Sequence, residues 1–280
     1  MNTAEALAAL GVTEADFTPQ QQRQLDEDGY FIVPEYFTAE QVEALRGAYD
    51  ACANDAVVLG DLGIEPGGVF IFDLFNKSEV FDLCLSSRPT LAAAQDLMGD
   101  IRVYSLNGRN PAKGRGQQSL HSDVPRSHPT DWRVVNTMIM LDDMSEENGA
   151  TRLVPGSHKW PALNVPDDNL AGEKAPAPTP EELAQFPDDA TAPHPQEIKV
   201  TGKAGSICVI NGHIWHGGTL NRSGASRRLL HLAIGRRDVP PQLDQREYLT
   251  PSLKNRSNPA QQYLLDIEDA EPAVPDPVRS

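Results

Sequence analysis

The sequence has little cysteine and little positive charge. Only three of its 280 residues are cysteines, Cys52, Cys84 and Cys208. Three scattered thiols are too few for a disulfide framework or a closed zinc site. Lysine and arginine number 24 against 40 aspartates and glutamates, so the formal net charge is −16. An acidic chain of this kind repels nucleic-acid phosphates and anionic lipid headgroups. The composition therefore predicts neither a nucleic acid nor a membrane as a partner.

Long apolar runs are also missing. No stretch approaches the roughly 20 apolar residues that a membrane-spanning helix needs. The first residues, Met1 to Glu5, do not form a basic segment followed by an apolar one, so no secretory signal is evident. Hydrophobic residues make up 39% of the chain, which is enough for a sizeable core. We therefore expect a cytoplasmic globular protein with one domain over residues 1–280, either a monomer or a homodimer.

Helix signals dominate the first hundred residues. Thr18-Pro19-Gln20-Gln21 combines an N-cap, a proline in the first turn and a capping-box partner, and the helix that it opens should end at Gly29. The segment 38–41 repeats the capping pattern. A third helix is predicted over residues 90–98, and residues 30–33 are predicted to form a short buried strand.

From residue 100 onward the pattern changes to short runs of β-branched or alternating residues separated by turn residues. Strands are predicted over residues 101–106, 119–123, 134–141, 151–154, 197–201, 206–210 and 228–234. Helices followed by seven or more short strands indicate a mainly β fold with α, namely a double-sheet barrel or jelly roll (cupin-like) with a helical N-terminal cover.

Two segments differ from this pattern. Residues 161–195 are rich in Pro, Ala, Asp and Glu, yet predicted strands flank them on both sides. A long polar insertion inside a compact domain is either a functional lid or a solvated insertion loop. Residues 267–280 are acidic and proline-rich, and are predicted to be a flexible tail.

His121 and Asp123 form the first group of candidate metal ligands. On a strand, residues i and i+2 point to the same face, so the imidazole and the carboxylate would emerge side by side. A neutral nitrogen with a hard anionic oxygen suits Fe(II), Mn(II) or Zn(II). A His-x-Asp sequence alone carries little information, because such a pair arises readily by chance.

A second group strengthens this interpretation. Residues 205–218 form a predicted strand that leads into a turn carrying His213 and His216. One of these histidines would complete a set of two histidines and one carboxylate on one octahedral face, leaving three positions for other ligands. Arg227 follows His216 by eleven residues, across a hairpin. Inside a barrel its guanidinium would need an anion, and a carboxylate is its best match, whereas at the surface it would pair with an ordinary acidic residue.

The segments that carry these residues resemble the phytanoyl-CoA dioxygenase family, to which ectoine hydroxylase also belongs. The matching segments are residues 117–123, 140–143 with 147–159, and 215–218 with 221–228. Their order and spacing agree with the family from about residue 20 to residue 237. Members of the family are non-haem iron, 2-oxoglutarate-dependent oxygenases with a double-stranded β-helix fold.

The resemblance implies specific roles. By it, His121, Asp123 and His216 are the iron ligands and catalytic residues, and His216 is preferred to His213 because only His216 has an arginine at the family's separation. Arg227 is then the residue that binds the distal carboxylate of 2-oxoglutarate.

Two further positions match less distinctive parts of the family pattern. Thr151 and Gln118 stand where relatives place additional polar contacts to the co-substrate, and Gln117 is an alternative to Gln118. The resemblance thus implies Fe(II), 2-oxoglutarate and O2 as cofactors. It also implies a small-molecule substrate, expected to be a specialised metabolite or an amino-acid-like compound.

Two other functions are consistent with the same sequence. A catalytically silent jelly roll could bind a metal or a ligand without turnover, and a cupin-type isomerase could use the metal without a keto acid. The presence of His121, Asp123, His216 and Arg227 together argues against a silent jelly roll. In a cupin-type isomerase Arg227 would have no evident role. His128, His194 and His231 have no partner at ligand spacing and are interpreted as ordinary residues.

Overall fold

The structure is a computed structural model that describes residues 1–56, 68–166 and 177–276. The first half of the chain contains most of the helices. Its elements are α1 (Thr3–Ala9), α2 (Pro19–Glu27), β1 (Tyr30–Val33), α3 (Ala39–Ala56), β2 (Gly68–Ile71), α4 (Leu74–Lys77), α5 (Arg88–Met98) and β3 (Ile101–Pro111). Short 3-10 helices cover Glu14–Asp16 and Glu79–Ser86.

The second half supplies most of the strands and ends in helices. Its elements are β4 (Val134–Met140), β5 (Arg152–Leu153), α6 (Pro180–Leu183), β6 (Ile198–Lys199), β7 (Ile207–Asn211), β8 (His216–Gly217), β9 (Leu229–Arg236), α7 (Gln245–Tyr248), α8 (Pro251–Arg256) and α9 (Pro259–Leu265). A further 3-10 turn covers Ser157–Lys159.

The strands form two antiparallel sheets. The larger sheet has the order β1-β7-β4-β9-β3-β2, and the smaller has the order β6-β5-β8. The sheets do not close into a complete barrel, and this arrangement confirms the predicted jelly-roll class. The helical N-terminal part contributes Phe31, Leu45 and Leu91 to the same core cluster as Leu230 and Leu232 of β9. The helices therefore cover one face of the larger sheet.

Local sequence signals account for the N-terminal elements. The Thr18 hydroxyl accepts a hydrogen bond from the Gln21 backbone N–H, and the Gln21 side chain accepts one from the Thr18 N–H, which completes the predicted capping box. Helix α2 is followed by Gly29 at φ +83°, a conformation that glycine adopts without strain at a helix end. The predicted helix ending at Gly29 and the predicted strand 30–33 are confirmed.

Residues 119–123 do not form the predicted strand. Only His121 pairs in β fashion, in an isolated antiparallel bridge with His216. The neighbouring backbone N–H groups are bound by separate segments, because Leu120 donates to Ala190 O and Ser122 donates to Leu163 O. The segment thus makes backbone hydrogen bonds to several loops and not to one neighbouring strand. The prediction of a regular strand is wrong.

The C-terminal part was not predicted to be helical, and it packs on the core. Leu253, Leu264 and Ile267 are buried in the main core cluster. The backbone N–H groups of Ala273 and Val274 both lie within hydrogen-bonding distance of Leu249 O. The predicted tail thus begins with a fully buried side chain, and residues 277–280 lie outside the described residues.

A buried histidine makes the stability of the fold depend on pH. His158 is 1% exposed, and its Nε2–H donates to Asp26 O at 3.0 Å, while Nδ1 finds no partner within the described ranges. Burial lowers the pKa of His158 from its usual 6.5 to about 4. The unfolded chain therefore binds a proton between pH 6.5 and pH 4 that the folded chain excludes, and folding weakens as the pH falls through this range.

We expect His158→Gln to reduce this pH dependence, because glutamine retains a donor for Asp26 O but does not titrate. Between pH 7 and pH 5 the wild-type free energy of unfolding should fall by about 2 kcal/mol more than that of the variant. Urea unfolding at both pH values measures the difference. Equal losses in the two proteins would show that protonation of His158 is not linked to folding.

Candidate active site

The three predicted metal ligands come together where the two sheets meet. The isolated bridge aligns two of them, since His121 N–H donates to His216 O at 3.0 Å and His216 N–H donates to His121 O at 2.9 Å. Asp123 is held by its own N–H, which donates to Gly212 O at 2.8 Å in the turn after β7. Nitrogen or oxygen atoms of the three side chains all lie within 4.8 Å of one another. Residues far apart in the sequence therefore offer ligand atoms to one point.

The orientation of the two imidazoles fits a metal. In each ring Nδ1 lies 2.9 Å from a backbone carbonyl, Ser119 O for His121 and Ile214 O for His216. Donation from Nδ1–H fixes the tautomer and leaves the Nε2 lone pair available, which is how metal-binding histidines are usually held. His216 Nε2 lies 3.4 Å from Asp123 Oδ1. The two rings and the carboxylate thus direct one potential ligand atom each to a shared centre.

Asp123 has its own supporting contact. Asn136 of β4 donates a hydrogen bond from Nδ2 to Asp123 Oδ2 at 3.1 Å, which leaves Oδ1 directed toward His216. A hydrogen-bonded second oxygen is the usual way in which a ligating carboxylate is oriented. The donor set of two neutral imidazoles and one carboxylate fits a non-haem iron ion that keeps three open positions.

The charges of the site agree with this arrangement. Burial, and then the neighbouring His216, lowers the pKa of His121 to about 4. Burial alone would raise the pKa of Asp123, but His216, His121 and the hydrogen bond from Asn136 together lower it and keep the carboxyl ionised. Burial would lower the pKa of His216, but Asp123 and the hydrogen bond to Ile214 O together raise it. The carboxylate therefore stabilises a proton on His216, and a metal ion bound there would replace that proton.

The triad opens on a cavity of 440 Å³ between the two sheets. All six predicted site residues line this cavity, namely His121, Asp123, His216, Arg227, Thr151 and Gln118. Its volume lies within the range of small-molecule sites in proteins, roughly 300–1,000 Å³. The described parts of the predicted lid contribute Asn164 and Pro166 to the wall.

Arg227 is buried in the wall of this cavity, with 4% of its surface exposed. It lies two residues before the start of β9, and its backbone N–H donates to Asn110 Oδ1 at 3.0 Å. A guanidinium in such a place matches a carboxylate, because two parallel N–H donors fit the two oxygens. The neighbouring Arg228 lies on the other face and is paired with Asp142 and Asp50.

Gln118 and Thr151 are brought to the cavity by the smaller sheet. Arg152 of β5 is 1% exposed, and its guanidinium donates to Gln118 O and Ala190 O at 2.8 and 2.9 Å. The Gln118 side chain accepts a hydrogen bond from Gly218 N–H at 2.7 Å. Gln117, the alternative to Gln118, is exposed and reaches Thr191 O instead.

His213, the alternative to His216, lies outside the cavity. It is 1% exposed, and its ring packs edge-on against Trp132 with the centroids 5.5 Å apart. Among the described residues, the only group of three metal-ligating side chains is His121, Asp123 and His216. The structure thus places His216, and not His213, beside the other two candidates.

Several cavity residues were missed by the sequence analysis. His231 was interpreted as an ordinary residue, yet it lines the cavity with Asn107 and Asn136. His231 follows Arg227 by four residues in a segment that is extended from residue 229, so the period-2 alternation of a strand could have placed both on the same face. For Asn107 and Asn136 the sequence carried no comparable signal.

Comparison with known proteins agrees with this geometry. The profile of the family described as phytanoyl-CoA dioxygenase (PhyH) matches residues 25–229. The chain belongs to this family. Membership confirms the enzyme class and the cofactors expected from the sequence, a non-haem iron dioxygenase that depends on 2-oxoglutarate.

Individual relatives are distant. The chain is 29% identical to dioxygenase af480 of Aspergillus fumigatus over 205 residues, which cover 70% of this chain and 59% of that protein. It is 29% identical to an ectoine dioxygenase of Halomonas elongata over 247 residues, 80% of this chain and 72% of the relative. The chain thus spans less than two thirds of the Aspergillus relative's length.

A solved structure has the same fold. HygX from Streptomyces hygroscopicus, crystallised with nickel, 2-oxoglutarate and hygromycin B, superposes with a TM-score of 0.58 at 20% identity. The match covers 80% of this chain and 90% of HygX.

None of the helices in the described ranges combines the length and the apolar character needed to cross a membrane.

Proposed function

We propose that this protein hydroxylates, or otherwise oxidises, a C–H bond of a small molecule, with 2-oxoglutarate and O2 as co-substrates. In the balanced reaction one oxygen atom enters the product, and the other enters the succinate that forms as 2-oxoglutarate loses CO2. The observation that carries the proposal is that the ligand triad and Arg227 line one cavity of small-molecule size.

The triad residues would hold iron by one face. His121 and His216 supply Nε2, and Asp123 supplies Oδ1, with the backbone carbonyls and Asn136 fixing their orientation. When bound, iron supplies the redox chemistry, and the protein supplies binding and orientation. We propose catalytic roles for these ligands on the basis of their shared centre and their neutral or anionic donor atoms.

The cavity walls would position the organic reactants. Arg227 binds the distal carboxylate of 2-oxoglutarate in a site from which bulk water is largely excluded, where such an ion pair is strong. Thr151 and Gln118 line the same cavity and add polar contacts. Asp123 would occupy a coordination position on iron that a halide could take only if this residue were small and not a ligand. Its carboxylate therefore favours hydroxylation over halogenation.

The substrate class follows from the cavity and from relatives. Much of the wall is polar, with Ser105, Asn107, Asn164 and Gln242 among its residues. HygX was crystallised with hygromycin B, and several curated relatives are ectoine dioxygenases. We therefore propose a specialised metabolite or an amino-acid-like compound as the substrate. A cytoplasmic location, a single domain over residues 1–280, and a monomeric or homodimeric state stay predictions.

Turnover assays test this proposal. Purified protein with Fe(II), ascorbate, 2-oxoglutarate and O2 is incubated with panels of polar metabolites, and succinate is quantified together with the mass of the product. The proposal predicts succinate above the level without substrate, matched by a product that has gained one oxygen atom. Absence of succinate from protein that binds iron and 2-oxoglutarate would support a silent jelly roll instead.

A further inference from the structure

The inward face of β9 carries a histidine that has no assigned role. Arg227, His231 and Ala233 line the cavity, whereas Leu230 and Leu232 lie in the core beneath the helices. This alternation is the period of an extended strand. His231 therefore lies on the same wall as Arg227, inside the site and not behind it.

Strand pairing places His231 between the metal end of the cavity and Arg227. Ala233 pairs with Asn136 of β4, and Asn136 donates to Asp123, so the position of Ala233 marks the metal end of the cavity. At about 3.3 Å per residue, His231 lies about 7 Å from Ala233 along β9. Arg227 lies four residues before His231, on the other side and just outside the strand. A ligand that bridges the triad and Arg227 would therefore have His231 within the wall that it contacts.

The ring of His231 is available to such a ligand. Within the described ranges neither of its nitrogens makes a hydrogen bond to protein, although its strand neighbours Asn107 and Met138 flank it in register. Burial, followed by the nearby Arg109, lowers the pKa of His231 well below its usual value. The imidazole is therefore neutral, with one N–H donor and one acceptor.

We propose that His231 is a positioning residue for 2-oxoglutarate, donating a hydrogen bond from its imidazole to the carboxylate at the metal end of the bound keto acid. This inference rests on the proposed function, since it requires 2-oxoglutarate to lie between the triad and Arg227. It assigns the two ends of the co-substrate to two residues of the same segment, Arg227 for the distal carboxylate and His231 for the other.

The test uses nickel-loaded full-length protein, in which binding is measured calorimetrically without turnover. His231→Phe removes the donor and retains a ring, and His231→Leu is a second variant in case phenylalanine disturbs packing. Each should weaken 2-oxoglutarate binding on the order of tenfold, the effect of losing one hydrogen bond to a charged group. Nickel binding in the absence of 2-oxoglutarate should not change. The matched control, His128→Phe, alters an exposed histidine outside the cavity and should bind 2-oxoglutarate like the wild type.

Two analogues locate the contact. 2-Oxopentanoate retains the keto acid but lacks the distal carboxylate, so His231→Phe should weaken its binding by the same factor as for 2-oxoglutarate. 4-Oxopentanoate retains the ketone and the distal carboxylate but has a methyl group in place of the carboxylate beside the ketone, so the variant should bind it like the wild type. One of His231→Asn and His231→Gln, which place an amide N–H near Nδ1 or Nε2 respectively, should recover most of the affinity.

Several results would overturn the inference. Unchanged 2-oxoglutarate affinity in both His231→Phe and His231→Leu would exclude the contact. Weakened nickel binding would assign His231 to support of the metal site. An equal loss for 4-oxopentanoate would show that the contact is not to the carboxylate beside the ketone. Failure of the wild type itself to bind 2-oxoglutarate would contradict the proposed function and not this assignment alone.

Discussion

Replacing His216 with alanine should remove iron binding and, with it, all 2-oxoglutarate turnover. His216 supplies one of three ligand atoms within 4.8 Å of one another, and two remaining ligands do not hold an iron ion on one face. The loss of iron affinity should exceed the roughly 10–100-fold loss that follows from replacing a residue that only hydrogen-bonds to a metal ligand. Iron content after gel filtration and succinate formation measure the two effects.

The matched control is the neighbouring histidine. His213→Gln changes a side chain that lies three residues earlier and is buried against Trp132, outside the cavity. This variant should retain stoichiometric iron and most of the turnover. Retention of iron by His216→Ala, together with its loss in His213→Gln, would move the metal site to His213 and contradict the assignment.

Arg227→Leu should weaken 2-oxoglutarate binding by about 30-fold or more while iron binding is unchanged. Removing one partner of a buried charge pair costs about 2–5 kcal/mol, and each 1.4 kcal/mol is a factor of ten in affinity. Arg227 is 4% exposed in the cavity wall, so water cannot replace the guanidinium effectively. Calorimetric titration of the metal and then of 2-oxoglutarate separates the two affinities.

Arg228→Leu is the control for this experiment. Arg228 is adjacent in sequence but directs its charge to Asp142 and Asp50, away from the cavity. It should therefore bind 2-oxoglutarate like the wild type. If Arg227→Leu loses iron as well as 2-oxoglutarate, or if Arg228→Leu shows the same weakening, Arg227 has a structural role and the proposed carboxylate site is wrong.

The metal ligands could be predicted from sequence because their spacing and their order match a known family. The His-x-Asp segment, the turn with His216 and the arginine eleven residues later form a combination more specific than any one part. The reason for their convergence was not fully predictable. His121 and Asp123 do not belong to a regular strand, and backbone contacts to His216, Gly212 and more distant loops place them. Such contacts join segments with no local signal in common.

Local patterns also limited the prediction of the remaining elements. Capping boxes marked α2 and α3 because the side chains and N–H groups involved are close in sequence. The C-terminal helices are short, between four and seven residues, and too brief for helical periodicity to emerge. They owe their position to burial of residues such as Leu253 and Leu264, which only the tertiary structure shows.

The position of His231 on the cavity wall could have been predicted from strand alternation, although not from metal-ligand spacing. A search for partners at metal-ligand spacing finds none for this histidine. Strand alternation from Arg227, in contrast, places it on the cavity wall, where the structure finds it. A side chain that contacts the co-substrate needs only to lie on the correct face of a strand. It does not need the fixed spacing of a metal-ligand motif.

The most direct test of the account is anaerobic addition of Fe(II) and then 2-oxoglutarate to the purified protein, followed by visible absorption. Chelation of iron by the keto acid at a site formed by His121, Asp123 and His216 predicts a weak metal-to-ligand charge-transfer band that requires both additions. The band should be absent in His121→Ala, which lacks one imidazole. A folded wild-type protein that shows no band, or a band of equal intensity in His121→Ala, would contradict the central claim that these three side chains hold the iron.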